Sequence, residues 1–268
     1  MEYFNNAKTW ASSTAGSGMT MLQGDSTGSK IAKVVVAIIL VFLIIRVGNK
    51  LYKTYTDWVN SSPWLVKGTK IADKRMVIPQ DPSKENSITL GRSQNEKAGL
   101  EFSYSFWIYI NDWGYKHGQW KHVFHKGNEN SWPLRAPAVF LHPKKNAMRV
   151  YMNTFKNINE FADINDLPLN KWFHVTIGVR QRNLDLFVNG NIVKRHTLEG
   201  IPKQNYGDVY INAYRGFGGF LSGIRYFDYY LSYKELDDAV SKGPSTSGCV
   251  DSDVTPPYFS PNWWLNSK

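Results

Sequence analysis

From Leu100 to Ile110 the chain alternates strictly, with Phe102, Tyr104, Phe106, Ile108 and Ile110 on one side and Ser103, Ser105, Trp107 and Tyr109 on the other. A helix cannot sort residues this way, because side chains separate onto two faces at every second residue only in an extended strand. Further short apolar runs repeat the signal at His122–His125, Ala138–Leu141, Met148–Met152 and Trp172–Val179. Leu184–Val188 meets Asn189-Gly190, a pair that accepts the positive φ angles of a two-residue hairpin, and returns through Ile192–Thr197. Val209–Asn212 and Phe220–Phe227 complete the set. One helix closes the region: Ser232 and Glu235 make a capping box, Leu236, Ala239 and Val240 form its apolar stripe, and Gly243-Pro244 stops it. Many strands with turn signals and a single short helix predict an all-β sandwich over 86–243.

A second feature stands apart from that body. Val34 to Ile45 is an unbroken apolar run, VVVAIILVFLII, and the span 31–47, which includes Ile31, Leu40, Phe42 and Val47, is long enough for about 25 Å of helix. Lys33 and Arg46 lie near its ends, where long basic side chains snorkel to headgroups. The run has no polar face and begins too late for a cleaved leader, so a single membrane span is expected. Residues 1–30 (ASSTAGSG, GDSTGSK) read as a flexible polar tail, and 48–85, with Trp58, Pro63 and Trp64, as a basic juxtamembrane stalk.

The net charge of +10 is concentrated beside that run: residues 31–75 hold eight Lys/Arg against Asp57 and Asp73. This is juxtamembrane charge rather than a basic patch on a folded body, so a lipid bilayer is the expected partner and nucleic acid is not. More of it lies C-terminal to the run, which favours a cytosolic C-terminal domain and a translocated tail; the sequon Asn60-Ser61-Ser62 points the other way. A lone cysteine, Cys249, excludes a disulfide scaffold and a cysteine-built metal site.

Signals for chemistry are sparse. Hydrolysis of a glycosidic bond takes two carboxylates facing each other across it. The nearest acids are Asp163 and Asp166, expected in a loop, and Glu235 and Asp237 on the helix, so no catalytic residue is assigned. His122 and His125 stand three apart in a predicted strand, which sends them to opposite faces, and no metal ligand set is assigned. The glycines of Gly216-Phe217-Gly218-Gly219 precede a strand and read as turn glycines rather than a phosphate loop. Trp113, Tyr115, Trp120 and Trp132, in loops, either stack on sugars or partner side chains, or cap the sandwich ends.

FSYSFWIYI, HVFHKG, NKWFHVTIGVRQRNLDLFVNGNIV and FGGFLSGIRYFDYYLSYKEL, in that order, resemble the laminin-G-like domains of the concanavalin A-like jelly roll; Trp107, Trp172 to Val175, Phe187 to Gly190 and Gly219 to Leu236 carry the match. The resemblance implies two packed antiparallel sheets of roughly a dozen strands. It also raises calcium as a cofactor through Asp208 or Asp228, although no EF-type ligand series exists, and no other cofactor is expected. The wider layout, with an ending that includes Pro256-Pro257-Tyr258-Phe259, is similar to that of membrane proteins of large DNA viruses, particularly those infecting algae. That similarity implies a non-catalytic minor capsid component on a virion internal membrane, with capsid proteins as partners. The alternative is a glycan- or receptor-binding surface adhesin. In the tail 244–268, Tyr258, Phe259, Trp263 and Trp264 are expected to dock on the sandwich or on a neighbouring subunit, because exposed aromatics are costly in water.

Overall fold

A computed structural model of the chain describes residues 27–93 and 99–247. The chain divides into two compact units, Met1–Trp58 and Val59–Lys268. In the first, α1 (Thr27–Ser61, running on into the second unit) is one continuous helix whose most apolar stretch is nowhere buried. Ile31, Val34, Leu40, Phe42, Ile45 and Val47 all lie exposed along it. By length and composition α1 can cross a membrane. Its helical path continues fourteen residues beyond Val47, through the first third or so of the segment read as a stalk.

The second unit is a sandwich of twelve strands in two six-stranded sheets. The strands are β1 (Thr69–Ile71), β2 (Met76–Ile78), β3 (Glu101–Asp112), β4 (Lys121–Gly127), β5 (Arg135–Leu141), β6 (Ala147–Met152), β7 (Glu160–Asn165), β8 (Trp172–Arg180), β9 (Asn183–Val188), β10 (Asn191–Thr197), β11 (Val209–Ile211) and β12 (Gly218–Phe227), followed by α2 (Tyr233–Ser241). Sheet A runs β1-β12-β3-β8-β9-β10 and sheet B runs β2-β11-β4-β5-β6-β7, with every pairing antiparallel.

Phe102, Tyr104, Phe106, Ile108 and Ile110 of β3 all enter the core, as their alternation predicts. They meet Val123 and Phe124 of β4, Val139 and Leu141 of β5, and Met148, Val150 and Met152 of β6. Asn189 and Gly190 both take positive φ (49° and 79°), which turns β9 into β10 in two residues. Ser232 and Glu235 close the capping box, and α2 buries Leu236 against Phe187, Phe227 and Leu231.

The structure corrects the local reading in three places. The sheets begin before residue 86: β1 and β2, from the presumed stalk, supply one edge strand to each sheet, because Thr69–Ile71 pairs with Phe220–Ser222 and Met76–Ile78 with Val209–Ile211. Asp163 is not in a loop but in β7, pairing opposite Arg149. His122 and His125 do not point to opposite faces, because β4 carries an extra residue relative to β5: His122 pairs with Phe140 and Phe124 with Val139. Such a bulge advances the side-chain phase by one. Val123 and Phe124 therefore both face the core, and both histidines turn outward onto the opposite face of sheet B.

Candidate functional site

The outer face of sheet B gathers groups that no single motif announces. In β6, Met148, Val150 and Met152 face the core, so Arg149 and Tyr151 face outward. In β7 the inward pair Ala162 and Ile164 leaves Phe161 and Asp163 outside, and in β11 the inward pair Val209 and Ile211 leaves Tyr210 outside. Phe140 of β5, with His122 and His125 of β4, completes the floor.

Two arginines are layered among these rings. The Arg149 guanidinium lies 3.7 Å from the Phe161 ring centre and 5.2 Å from that of Trp120. The Arg135 guanidinium lies 3.8 Å from the ring centre of Tyr151 and 5.6 Å from that of Trp132. Cations over aromatic faces are held by the ring quadrupole, so both guanidinium planes are fixed in orientation. Asp163 takes Arg149 through two parallel hydrogen bonds of 2.7 and 2.8 Å, which raises the guanidinium pKa further. Burial lowers that of Arg135, whose Nη2 donates to Asn159 and whose Nε is buried with no hydrogen bond. Phe161 (41% exposed), Trp120 (37%) and Trp132 (50%) remain open to solvent at the rim.

The four loop aromatics thus divide. Trp113 packs against the core, with the buried Lys121 ammonium 4.8 Å from its ring centre, and the Tyr115 hydroxyl donates to the carbonyl of Arg215. Trp120 and Trp132 flank the outer face of sheet B.

Beneath this face, His122 Nε2 and His125 Nδ1 are 2.6 Å apart. The other nitrogen of His122 accepts from the Ala213 backbone N–H at 2.9 Å, and that of His125 meets the Asn128 carbonyl at 2.8 Å. The His125 ring stacks on Tyr210, and the His122 ring meets Phe140 and Tyr214 edge-on. Desolvation pushes the pKa of His122 well down and that of His125 down to about 4.

Over β3 and β8 the outer face of sheet A is buried instead, while β10 at its edge is exposed. His174 bonds Ser105 at 2.7 Å, packs against Trp107, and is buried, which brings its pKa down to about 4. Residues 229–231 close over another part of the same face, where the Ser103 hydroxyl donates to the Tyr229 carbonyl and accepts from the Leu231 N–H, and the Tyr230 ring lies against Gly178.

The remaining candidates occupy separate places. Asp208 accepts from the Gln80 N–H, and the Asp228 N–H donates to the carbonyl of Ser61. Among the described residues no three His, Cys, Asp or Glu side chains converge as a metal cage would require. Glu160 and Asp163 share β7 but face opposite sides, Glu160 inward onto Thr154 and the Glu199 N–H, so they cannot act across one bond. Glu235 is occupied by the capping box. Gly216 sits at φ 47°, with the Ala72 carbonyl where a Cβ would go, as a turn glycine should. Cys249, Tyr258, Phe259, Trp263 and Trp264 lie outside the described residues.

Two sheets of this order and a terminal capped helix define a lectin-like jelly roll. The laminin-G family model described as the concanavalin A-like lectin/glucanases superfamily matches residues 82–237, and the chain belongs to that family. Solved structures similar to this chain include the receptor binding domain of botulinum neurotoxin D (12% identity, 68% of this chain and 53% of that chain, TM-score 0.47). The binding domain of botulinum neurotoxin serotype G is also similar (15% identity, 68% and 46%, TM-score 0.45). So is the serotype D ligand binding domain in complex with N-acetylneuraminic acid (13% identity, 68% and 51%, TM-score 0.47). The chain spans about half the length of each. No curated protein matches it.

Proposed function

We propose that this protein is a non-catalytic, membrane-anchored binding module that holds its partner on the outer face of sheet B. The observation that carries this reading is the layered set Trp132–Arg135–Tyr151 and Trp120–Arg149–Phe161, in which flat faces and fixed guanidinium donors stand at an open surface. Aromatic and arginine side chains are the groups that dominate binding hot spots. α1 supplies the anchor, and the sequence layout favours placing the sandwich on the cytosolic side. The finer reading, a minor capsid component tying a virion's internal membrane to its shell, rests on that layout, and capsid proteins would then be the partner. A glycan- or receptor-binding adhesin is the second reading. It is favoured by the solvent-open rings of Trp120, Trp132 and Phe161, since the C–H faces of sugars stack on such rings. The C-terminal aromatics Tyr258, Phe259, Trp263 and Trp264 are proposed as a second docking element.

Protease protection of the membrane-inserted protein, with separate tags on the tail and the domain, separates the two readings. A protected sandwich in inside-out vesicles would contradict the cytosolic placement. Resistance of the full-length protein to alkaline extraction is expected of α1, and its release would overturn the anchor. On the sandwich, replacing Trp120 and Phe161 together by Ala should weaken partner capture at least about tenfold while the domain still melts cooperatively, only a few degrees lower. Unchanged capture of both glycan and capsid partners would remove sheet B's outer face from consideration.

A further inference from the structure

The hydrogen bonds around the two histidines under the outer face of sheet B fit one neutral tautomer of each ring. A backbone N–H can only donate, so His122 Nδ1, facing the Ala213 N–H, is the acceptor and its Nε2 carries the proton. A backbone carbonyl can only accept, so His125 Nε2, facing the Asn128 oxygen, carries a proton and its Nδ1 is free to accept from His122. The result is one directed chain: Ala213 N–H to His122, His122 to His125, His125 to Asn128 O. Both imidazoles are neutral, and every ring nitrogen is satisfied.

The ends of the chain are the two loops that rim the face. Residues 212–216 carry Tyr214 and hold positive φ at Asn212, Tyr214, Arg215 and Gly216, a strained path that needs restraint from its surroundings. Residues 128–134 carry Trp132 and lead into Arg135. Tyr214 and Trp132 are both exposed beside the outer face.

We propose that the His122–His125 pair is an acid-operated clamp: protonation of either ring sets two N–H groups against each other, breaks the chain, and frees the 212–216 and 128–134 loops. This rests on the reading of sheet B's outer face as the binding surface, because release of those loops disassembles its rim. The groups facing the pair give an added proton no compensation. Arg135 comes from β5, Arg75 from the segment before β2, and Lys116 from the loop before β4, while Tyr210 and Tyr214 are neutral. The nearby carboxylate, Glu129, is already paired with Arg75 at 2.5 Å. Lys116 itself donates to the Tyr214 carbonyl, at 2.5 Å, so a second cation already holds that loop.

Desolvation sets where the clamp opens. With His125 lowered from 6.5 to about 4, the opening equilibrium should rise by about tenfold per pH unit between those limits. The test uses the full chain in detergent micelles with no ligand added, so its outcome does not depend on whether the face binds anything. At pH 7, nitrogen-15 spectra should show both rings with the proton on Nε2; an Nδ1–H or an imidazolium in either ring would overturn the clamp. Amide exchange at residues 128–134 and 212–216, corrected for its intrinsic pH dependence, should accelerate on acidification while the central strands stay protected. H122Q and H125Q should flatten that dependence, each tested separately in case one fails to fold. Loops that remain protected down to pH 4, or that loosen equally in both variants, would refute it. Partner affinity is then measured across the same range: loss of binding without loop release condemns the clamp, and loop release with no binding at any pH condemns the binding face.

Discussion

Arg149 is held from three sides, by Asp163 through two hydrogen bonds, by Phe161 below and by Trp120 beside it. Its side chain is only 20% exposed and that of Asp163 30%, so the pair is less screened than a surface ion pair. Arg149→Gln should cost about 1 kcal/mol of stability and abolish partner capture, whereas Asp163→Asn, which leaves the guanidinium stacked, should cost less capture for a similar stability loss. Parallel urea titrations and binding measurements check both. His174 offers a prediction away from the binding face. Its folded pKa of about 4 lies below the free value of 6.5, so the unfolded chain takes up the proton first on acidification. The neutral ring's contribution is therefore complete above pH 6.5 and drains away as pH falls toward 4, amounting to about 2–3 kcal/mol by pH 4.5. A His174→Asn variant should lose that much less stability between pH 7 and pH 4.5 than the parent does. An equal pH dependence in both would mean that His174 is not the group responsible. Among the residues, the strand that carries Arg149 and Tyr151 was legible as the run Met148–Met152, whereas Phe161 and Asp163 were not, because Asp163 and Asp166 ahead of Pro168 read as a loop. The bulge that turns His122 and His125 to one side had no signal of its own, because it depends on pairing with β5.

At the level of elements, turns and caps are the most local structures and were the most legible. Asn189-Gly190 and the Ser232–Glu235 box need only adjacent residues, and both form as their chemistry requires. Ser232→Ala should lower stability by about 1 kcal/mol, since it removes the oxygen that accepts from the Glu235 N–H in the first turn of α2. Glycines differ by context. At Gly216 a Cβ would lie 1.8 Å from the Ala72 carbonyl oxygen, at positive φ, while around Gly118, also at positive φ, nothing stands within 4 Å. Gly216→Ala should therefore cost several times the roughly 1 kcal/mol expected of Gly118→Ala, and thermal melts of the two variants test the contrast. By contrast, β1 and β2 are three residues each, too short to carry a period, and became strands only because Phe220–Ser222 and Val209–Ile211 present free edges to them.

For the molecule as a whole, those short strands set where the domain starts. A chain beginning at residue 59 keeps one edge strand on each sheet; one beginning at residue 81 strips both and bares the edges of β12 and β11. The longer form should melt cooperatively at the higher temperature, and the shorter should melt lower and associate through its unpaired edges. Equal melting temperatures would show that β1 and β2 are only decoration. The division between what was readable and what was not follows the range of the interactions. Strand periodicity, the hairpin turn, the helix cap and the apolar run of α1 are written in residues within a few positions of each other, so the linear chain carried the jelly roll and a helix long and apolar enough to cross a membrane. The outer face of sheet B combines residues from 120 to 163 with Tyr210 and Tyr214, and the histidine chain joins Asn128 to Ala213. Such contacts exist only after two sheets have paired in register, and a one-residue bulge, invisible along the chain, decides which side groups share a face.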